Sequence, residues 1–301
     1  MTVARQAKGP SWAGGCTLVL GAAGMLGREL VHLLHKRAEE SGGRVVSWDL
    51  ADLDIRDRSA VYGTIGNLRP GVVVNAAAYT DVDGCETDVS GAMAVNAQGP
   101  GHLAQACDPV GAMLVHFGTD FVFDGSLERA YRPDDVANPL SVYGRSKWEG
   151  EQAIRAASCR HLIVRSSWMF GPRGRNFVEA ILAQAGAAKP LRVVNDQVGS
   201  PTLAADLADA VIRLLDAGEQ GTFHFANSGQ CSWFEFAGEI LEQAGMDRDV
   251  EPITSEQLHR PARRPAYSAL DTSKYAEATG TRPVCWQDAL RRYLNGRGCL
   301  P

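Results

Sequence analysis

The sequence predicts an α/β fold: a doubly wound parallel sheet with a smaller C-terminal substrate-binding lobe. Three observations predict it. The apolar run Cys16-Thr17-Leu18-Val19-Leu20 leads straight into a glycine-rich turn and a helical pattern, and such runs suit strands buried on both faces. Further apolar runs of strand length recur with helical stretches between them, the spacing of βαβ units. After residue 165 that alternation loosens into aromatic loops and short elements, which predicts a second, smaller unit.

Taken in order, the first strand ends in Gly21-Ala22-Ala23-Gly24-Met25-Leu26-Gly27, a Gly-x-x-Gly-x-x-Gly variant of the dinucleotide fingerprint. Gly21 allows the tight turn, Gly24 the close approach of a pyrophosphate, and Gly27 the packing of helix on strand. The helix from Arg28 onward offers the backbone N–H groups of its N-terminus to that anion. A second strand, Arg44 to Asp49, ends in an acid placed to bond an adenine ribose. Val61 to Leu68 reads as a helix, Gly71 to Asn75 as a third strand, and Ala76-Ala77-Ala78-Tyr79-Thr80 as small residues that let a flat ring approach. Ala92 to Ala106 is a helix and Ala112 to Phe117 a fourth strand, ending in Gly118-Thr119-Asp120. Polar groups at the carboxyl end of a parallel strand lie where open α/β sheets bind ligands. His161 to Arg165 and Thr222 to Phe225 supply two more strands, and Leu203 to Leu215 a helix that returns to the sheet. The expected division is a loose leader at 1–15, a dinucleotide-binding domain at 16–170 plus about 203–231, and a substrate lobe at 171–202 and 232–301.

Composition narrows the function. The 301 residues are 45% hydrophobic and 22% charged, enough for a substantial core, and the formal charge of -5 leaves no basic footprint for nucleic acid. No apolar run approaches the roughly 18 residues a membrane span needs. Seven scattered cysteines form no Cys-x-x-Cys pair, so reduced thiols in the cytoplasm are expected, without disulfides or a metal site. His32 and His35 share a helix without further ligands at metal spacing and read as solvated, and His116 reads as a core strand residue. Arg260, Arg263 and Arg264 suit either a diphosphate contact or a solvated loop.

The chemistry centres on Tyr143-Gly144-Arg145-Ser146-Lys147. Residues four apart share a helix face, so a phenol and an ammonium can share one site. A phenol titrates near 10 and is a poor acid at neutral pH, and a neighbouring cation favours its phenolate.

Together with Asn75 to Thr80, Thr119 to Gly125, Asn176-Phe177 and Asp196-Gln197-Val198-Gly199-Ser200-Pro201-Thr202, these motifs resemble the extended short-chain dehydrogenase/reductases, and within them the dTDP-4-dehydrorhamnose reductase family, over residues 16 to 275. The resemblance implies a Rossmann fold and an NADPH- or NADH-dependent reduction of the C4 ketone of a dTDP-4-keto-6-deoxyhexose. It implies Tyr143 as the acid, Lys147 as the ribose contact that depresses the tyrosine pKa, and Thr119 as the hydroxyl on the keto oxygen. Asp120, Trp168, Asn176, Gln197 and Ser200 match substrate contacts. Gly21, Gly24, Met25, Leu26, Gly27, Asp49, Asp54, Ile55, Ala78, Tyr79, Thr80 and Phe117 match the cofactor site. The chain departs from the family at Gly118, usually serine, and at Phe170, commonly tyrosine. Its intact motifs favour an enzyme over a non-catalytic nucleotide-binding subunit of the same fold. The oligomeric state stays open, a homodimer being one candidate, and Asp49 predicts that NADH is used at least as well as NADPH.

Overall fold

The computed structural model describes residues 12–187 and 190–297. The first half runs β1 (Cys16–Leu20), α1 (Met25–Ser41), β2 (Arg44–Trp48), α2 (Arg58–Leu68), β3 (Val72–Asn75), α3 (Val82–Thr87), α4 (Val89–Met93) and α5 (Gly99–Cys107). It continues through β4 (Met113–Thr119), α6 (Val142–Ala156) and β5 (His161–Ser166). Then come β6 (Met169–Phe170), α7 (Phe177–Ala185), β7 (Leu191–Val194), β8 (Val198–Gly199), β9 (Thr202–Leu203), α8 (Ala204–Asp216) and β10 (Gly221–His224). The last stretch holds β11 (Cys231–Ser232), α9 (Trp233–Gln243), β12 (Val250–Ile253), α10 (Ser255–Leu258), α11 (Ser273–Thr279) and α12 (Trp286–Gly296).

Six strands form the main sheet in the order β10-β5-β4-β3-β1-β2, every neighbouring pair parallel. The two-residue period of a strand decides which helices cover which face. Val19, Val72, Val74 and Val115 pack with Leu26, Leu30 and Leu34 of α1 and with Leu207, Val211 and Leu214 of α8. Leu18, Leu20, Val73 and Leu114 point the other way, onto Val61 and Ile65 of α2, Leu103 of α5 and Ile154 of α6. The doubly wound sheet expected from the apolar runs is present.

A third core draws on distant segments: Phe170, Val178, Ile181, Leu191 and Leu203 pack with Phe236, Ile240, Trp286, Leu290 and Tyr293. Within the stretch expected as lobe, α11 departs. Its Tyr275 joins the core of the main sheet and stands edge-on to Phe225, with ring centroids 4.9 Å apart.

Two expectations change. Residues 1–11 of the expected leader lie outside the described residues, but 12–15 are not loose. Ala13 is buried, its carbonyl accepts from Ser41 Oγ at 2.7 Å, and Trp12 packs on the sheet core. The single helix expected over Ala92 to Ala106 is broken into α4, a π-helical turn (Ala94–Gln98) and α5. Single π turns recur at functional sites, and this one carries the buried Asn96 discussed below.

Candidate active site

The glycine turn has the geometry a dinucleotide needs. Gly21 sits at φ 74°, and a Cβ there would lie 2.6 Å from the Ala77 nitrogen, so only glycine joins β1 to α1 this close to β3. No side chain caps the N-terminus of α1, and its first turn holds no acid. Its backbone N–H groups and positive dipole end therefore suit a pyrophosphate. Beside it a cleft of about 400 Å³ is lined by Gly24, Asp49, Asp54, Ile55, Ala78 and Tyr79, among others. The residues fit a nicotinamide dinucleotide on this observation.

Individual members differ in what they offer. Leu26 and Phe117 are buried in the sheet core, so their side chains pack rather than reach a ligand, and Leu26 has only backbone to give the turn. Met25 lies against the loop 171–174. Thr80 is exposed. Asp49 Oδ2 accepts the Ala23 N–H at 2.8 Å and so braces the glycine turn. Asp54 forms an ion pair with Arg56 at 2.6 Å. Arg28, His32 and Arg173 line a second cavity that also contains Asp49.

At the carboxyl end of β4 the predicted catalytic groups converge. Thr119 Oγ1 accepts the Phe121 N–H at 3.2 Å and bonds Asp120 Oδ1 at 3.1 Å. Tyr143, in the first turn of α6, stands beside the same threonine hydroxyl and edge-on to Phe121 at 5.5 Å. Burial pushes the Tyr143 phenol above its ordinary value, the Thr119 hydroxyl opposing this and the Asp120 carboxylate adding to it. The net shift of the phenol is therefore upward and set by burial, and Lys147 is not among the groups acting on it. Burial also lowers Lys147 to about 8, against the opposing pull of Glu151, and raises Asp120 to about 6 against hydrogen bonds from Ser268 and Thr119.

Asn96 and His116 carry the site from below. The Asn96 amide bonds both the N–H and the carbonyl of Tyr79, at 2.9 and 3.0 Å, and donates to Ser146 Oγ of α6 at 3.1 Å. It thereby ties the loop after β3 to α6. Its only sequence signal is a polar residue amid the apolar face of a helical stretch. His116, read as core, is indeed fully buried, and its Nε2 lies 3.4 Å from Lys147 Nζ.

The expected substrate contacts fare unevenly. Trp168 adopts φ 46°, rare for a bulky residue, and stacks on Trp233 with centroids 3.5 Å apart and planes 6° apart. Trp233 was not singled out from sequence, since 65 residues separate the pair. Asn176 has structural partners: its Oδ1 caps α7 through the Glu179 N–H, and its Nδ2 donates to the carbonyls of Gly171 and Gly174. Gln197 Nε2 donates to Ser255 Oγ at 2.7 Å and Ser200 Oγ to the Gly229 carbonyl at 2.9 Å. Phe170 lies in the third core, packed on Phe236 and Tyr293. Arg260 and Arg264 both pair with Asp83 at 3.1 Å, tying their loop to α3.

Gly118 explains one departure from the resemblance. Beneath it Arg165 donates to Glu151 through Nε at 2.9 Å and Nη2 at 2.7 Å, both side chains fully buried. A Cβ at 118 would lie 2.5 Å from Glu151 Oε1 and 2.6 Å from Arg165 Cγ. The ion pair occupies that space.

With the geometry fixed, its relatives can be compared. A family model described as RmlD substrate binding domain matches residues 16–298. The chain belongs to this family, the dTDP-4-dehydrorhamnose reductases. The dTDP-4-dehydrorhamnose reductase of Streptomyces griseus is 43% identical over 93% of this chain and 92% of that protein. The spore coat polysaccharide biosynthesis protein SpsK of Bacillus subtilis (strain 168) is 41% identical over 93% and 97%. Among solved structures, dTDP-4-dehydrorhamnose reductase from Bacillus anthracis in complex with NADP superposes with a TM-score of 0.89. That chain is 34% identical, and the match covers 93% of this chain and 98% of the other. Among the described residues of this dTDP-4-dehydrorhamnose reductase family member, no helix is long and apolar enough to cross a membrane.

Proposed function

We propose that the chain is an oxidoreductase that reduces the C4 ketone of dTDP-4-dehydro-L-rhamnose to give dTDP-L-rhamnose, using NADPH or NADH. One observation carries this reading. The hydroxyls of Thr119 and Tyr143 are neighbours at the carboxyl end of β4, with Lys147 one turn along α6. In a parallel sheet that end lies on the same edge as the glycine turn of β1.

When bound, the reduced nicotinamide supplies hydride to C4. Tyr143, held protonated by its raised pKa, donates its proton to the C4 oxygen, and Thr119 bonds that oxygen as its charge develops. The phenolate then recovers a proton from solvent. Lys147 holds the nicotinamide ribose and stabilises the phenolate during the transfer. Asp120, fixed by Ser268 Oγ at 2.6 Å, faces the sugar. The stacked Trp168 and Trp233 give the sugar nucleotide a flat apolar wall, and Gln197 and Ser200 shape the loop beneath it. In this division the described residues of 171–202 and 232–297, with α11 excepted, form the substrate lobe.

The assay is loss of reduced-nicotinamide absorbance on adding dTDP-4-dehydro-L-rhamnose, with NMR of the product. A chain that binds cofactor but oxidises none with any dTDP-4-keto sugar would be the non-catalytic subunit instead. A second reading, reduction of a different dTDP-4-keto-6-deoxyhexose, is supported by a relative named dTDP-4-keto-6-deoxy-D-glucose reductase, from Streptomyces niveus, 37% identical over 91% of this chain. Comparing turnover of the two 4-keto sugars, with each product identified by NMR, separates the two.

A further inference from the structure

The imidazole of His116 stands between an amide and the Lys147 amine, and its tautomer can be read from hydrogen bonds. Asn75 Oδ1 accepts the Ala77 N–H at 3.2 Å, which leaves Asn75 Nδ2 facing His116 Nδ1 at 3.2 Å. Turning the amide over would set its nitrogen against the Ala77 N–H, donor on donor. An amide nitrogen only donates, so Nδ1 accepts and the ring proton sits on Nε2. That Nε2–H faces Lys147 Nζ at 3.4 Å, with His116 and Lys147 0% and 3% exposed. An ammonium also carries only donors, so the pair can bond only through the lone pair of a neutral amine.

We propose that His116 is a positioning residue for Lys147: its Nε2–H lowers the amine's hold on its proton and turns the ammonium hydrogens away from the strand, toward Tyr143 and the cofactor ribose. The inference rests on the reductase reading only for the direction in which those hydrogens are used. Burial holds His116 itself neutral, the Lys147 charge adding to this, so the ring does not titrate in the working range. The other charged or titratable groups acting on this pair and on the phenol are Glu151, which favours the ammonium, and Asp120 and Cys85, which disfavour the phenolate. Burial brings Lys147 to about 8, so the free protein holds it partly deprotonated there, and the anionic cofactor draws a proton onto it.

The test is His116→Gln, which sets an amide oxygen, an acceptor, near the place of Nε2. Calorimetry of NADPH binding near pH 8, in buffers of different ionisation enthalpy, should show proton uptake by the wild type and less by the variant. The alkaline limb of the kcat profile should move up by about one pH unit, with the KM for NADPH changed less than twofold. Asn75→Asp, which keeps the ring but accepts from Nδ1–H and turns the Nε2 lone pair to Lys147, should act in the same direction if His116→Gln fails to fold. Unchanged proton uptake, or a limb that stays or moves down in the folded variant, overturns the proposal and leaves His116 as packing or as an acceptor. Because proton uptake is read without any sugar, it stands or falls separately from the assigned reaction.

Discussion

Tyr143, Lys147, Glu151 and Arg155 stand four residues apart along one row of α6, yet the two halves of the row have opposite characters. In the first half, Tyr143 meets Thr119 and Lys147 meets His116, and neither is matched to an opposite charge. In the second half, Glu151 is held by both Arg165 and Arg155, at 2.7 and 2.8 Å. Arg165 is further stacked over Phe123 and Trp148, and Arg155 donates to Thr222. Spacing along a helix decides which side chains share a face. The partner arriving from another strand decides whether that face does chemistry or holds the fold.

The comparison breaks most visibly at its two ends. Tyr143→Phe keeps the ring and its contact with Phe121 but removes the acid, so kcat should fall by about 10²–10⁴. Unfolding free energy should stay within about 0.5 kcal/mol. A variant with near wild-type kcat would put the acid elsewhere. Glu151→Gln should do the reverse. Arg165 would be left buried without its counter-charge, costing about 3–5 kcal/mol in a denaturant melt. Glu151 favours the Lys147 ammonium, so the folded fraction of this variant should lose activity at a lower alkaline pH than the wild type. A melt unchanged from wild type would mean that Arg165 finds another acceptor.

Gly118→Ser probes the boundary between the halves, since residue 118 adjoins Thr119 on one side and the ion pair on the other. The new Cβ must displace Glu151 or Arg165, and overpacking of this kind costs about 1–3 kcal/mol. The kcat of the folded protein should fall less than for Tyr143→Phe. If stability is unchanged, the ion pair is more yielding than its burial implies.

The same contrast accounts for what could be read from the sequence. Gly21, Gly24 and Gly27, and Tyr143 with Lys147, carry a signal in their own spacing of three or four residues, although the partners they meet lie far along the chain. Asn96, Trp233 and the Glu151–Arg165 pair act through partners 14 to 65 residues away, which no local spacing reveals. Asn176 shows what a motif match leaves out, since its side chain also caps α7 and bonds the 171–174 loop. The direction of the Tyr143 shift was unreadable for another reason: it depends on burial, and a sequence shows charges but not the dielectric around them.

Asp49 repeats the question outside α6, as a charge that either holds the protein or selects the ligand. Its carboxylate braces the Ala23 N–H of the glycine turn, and one wall of its cavity carries Arg28, His32 and Arg173. The acid repels a 2′-phosphate in a partly desolvated crevice while the arginines attract it, so the two cofactors are expected to compete closely, with NADH used at least as well as NADPH. In Asp49→Ala the repulsion is gone but so is the brace. The KM for both cofactors should therefore rise, while the ratio of kcat/KM moves toward NADPH by about tenfold, equivalent to ~1.4 kcal/mol. A rise in both KM values with no change in ratio would make Asp49 a brace alone. Wild-type preference for NADPH by a wide margin would show that the arginines already outweigh it.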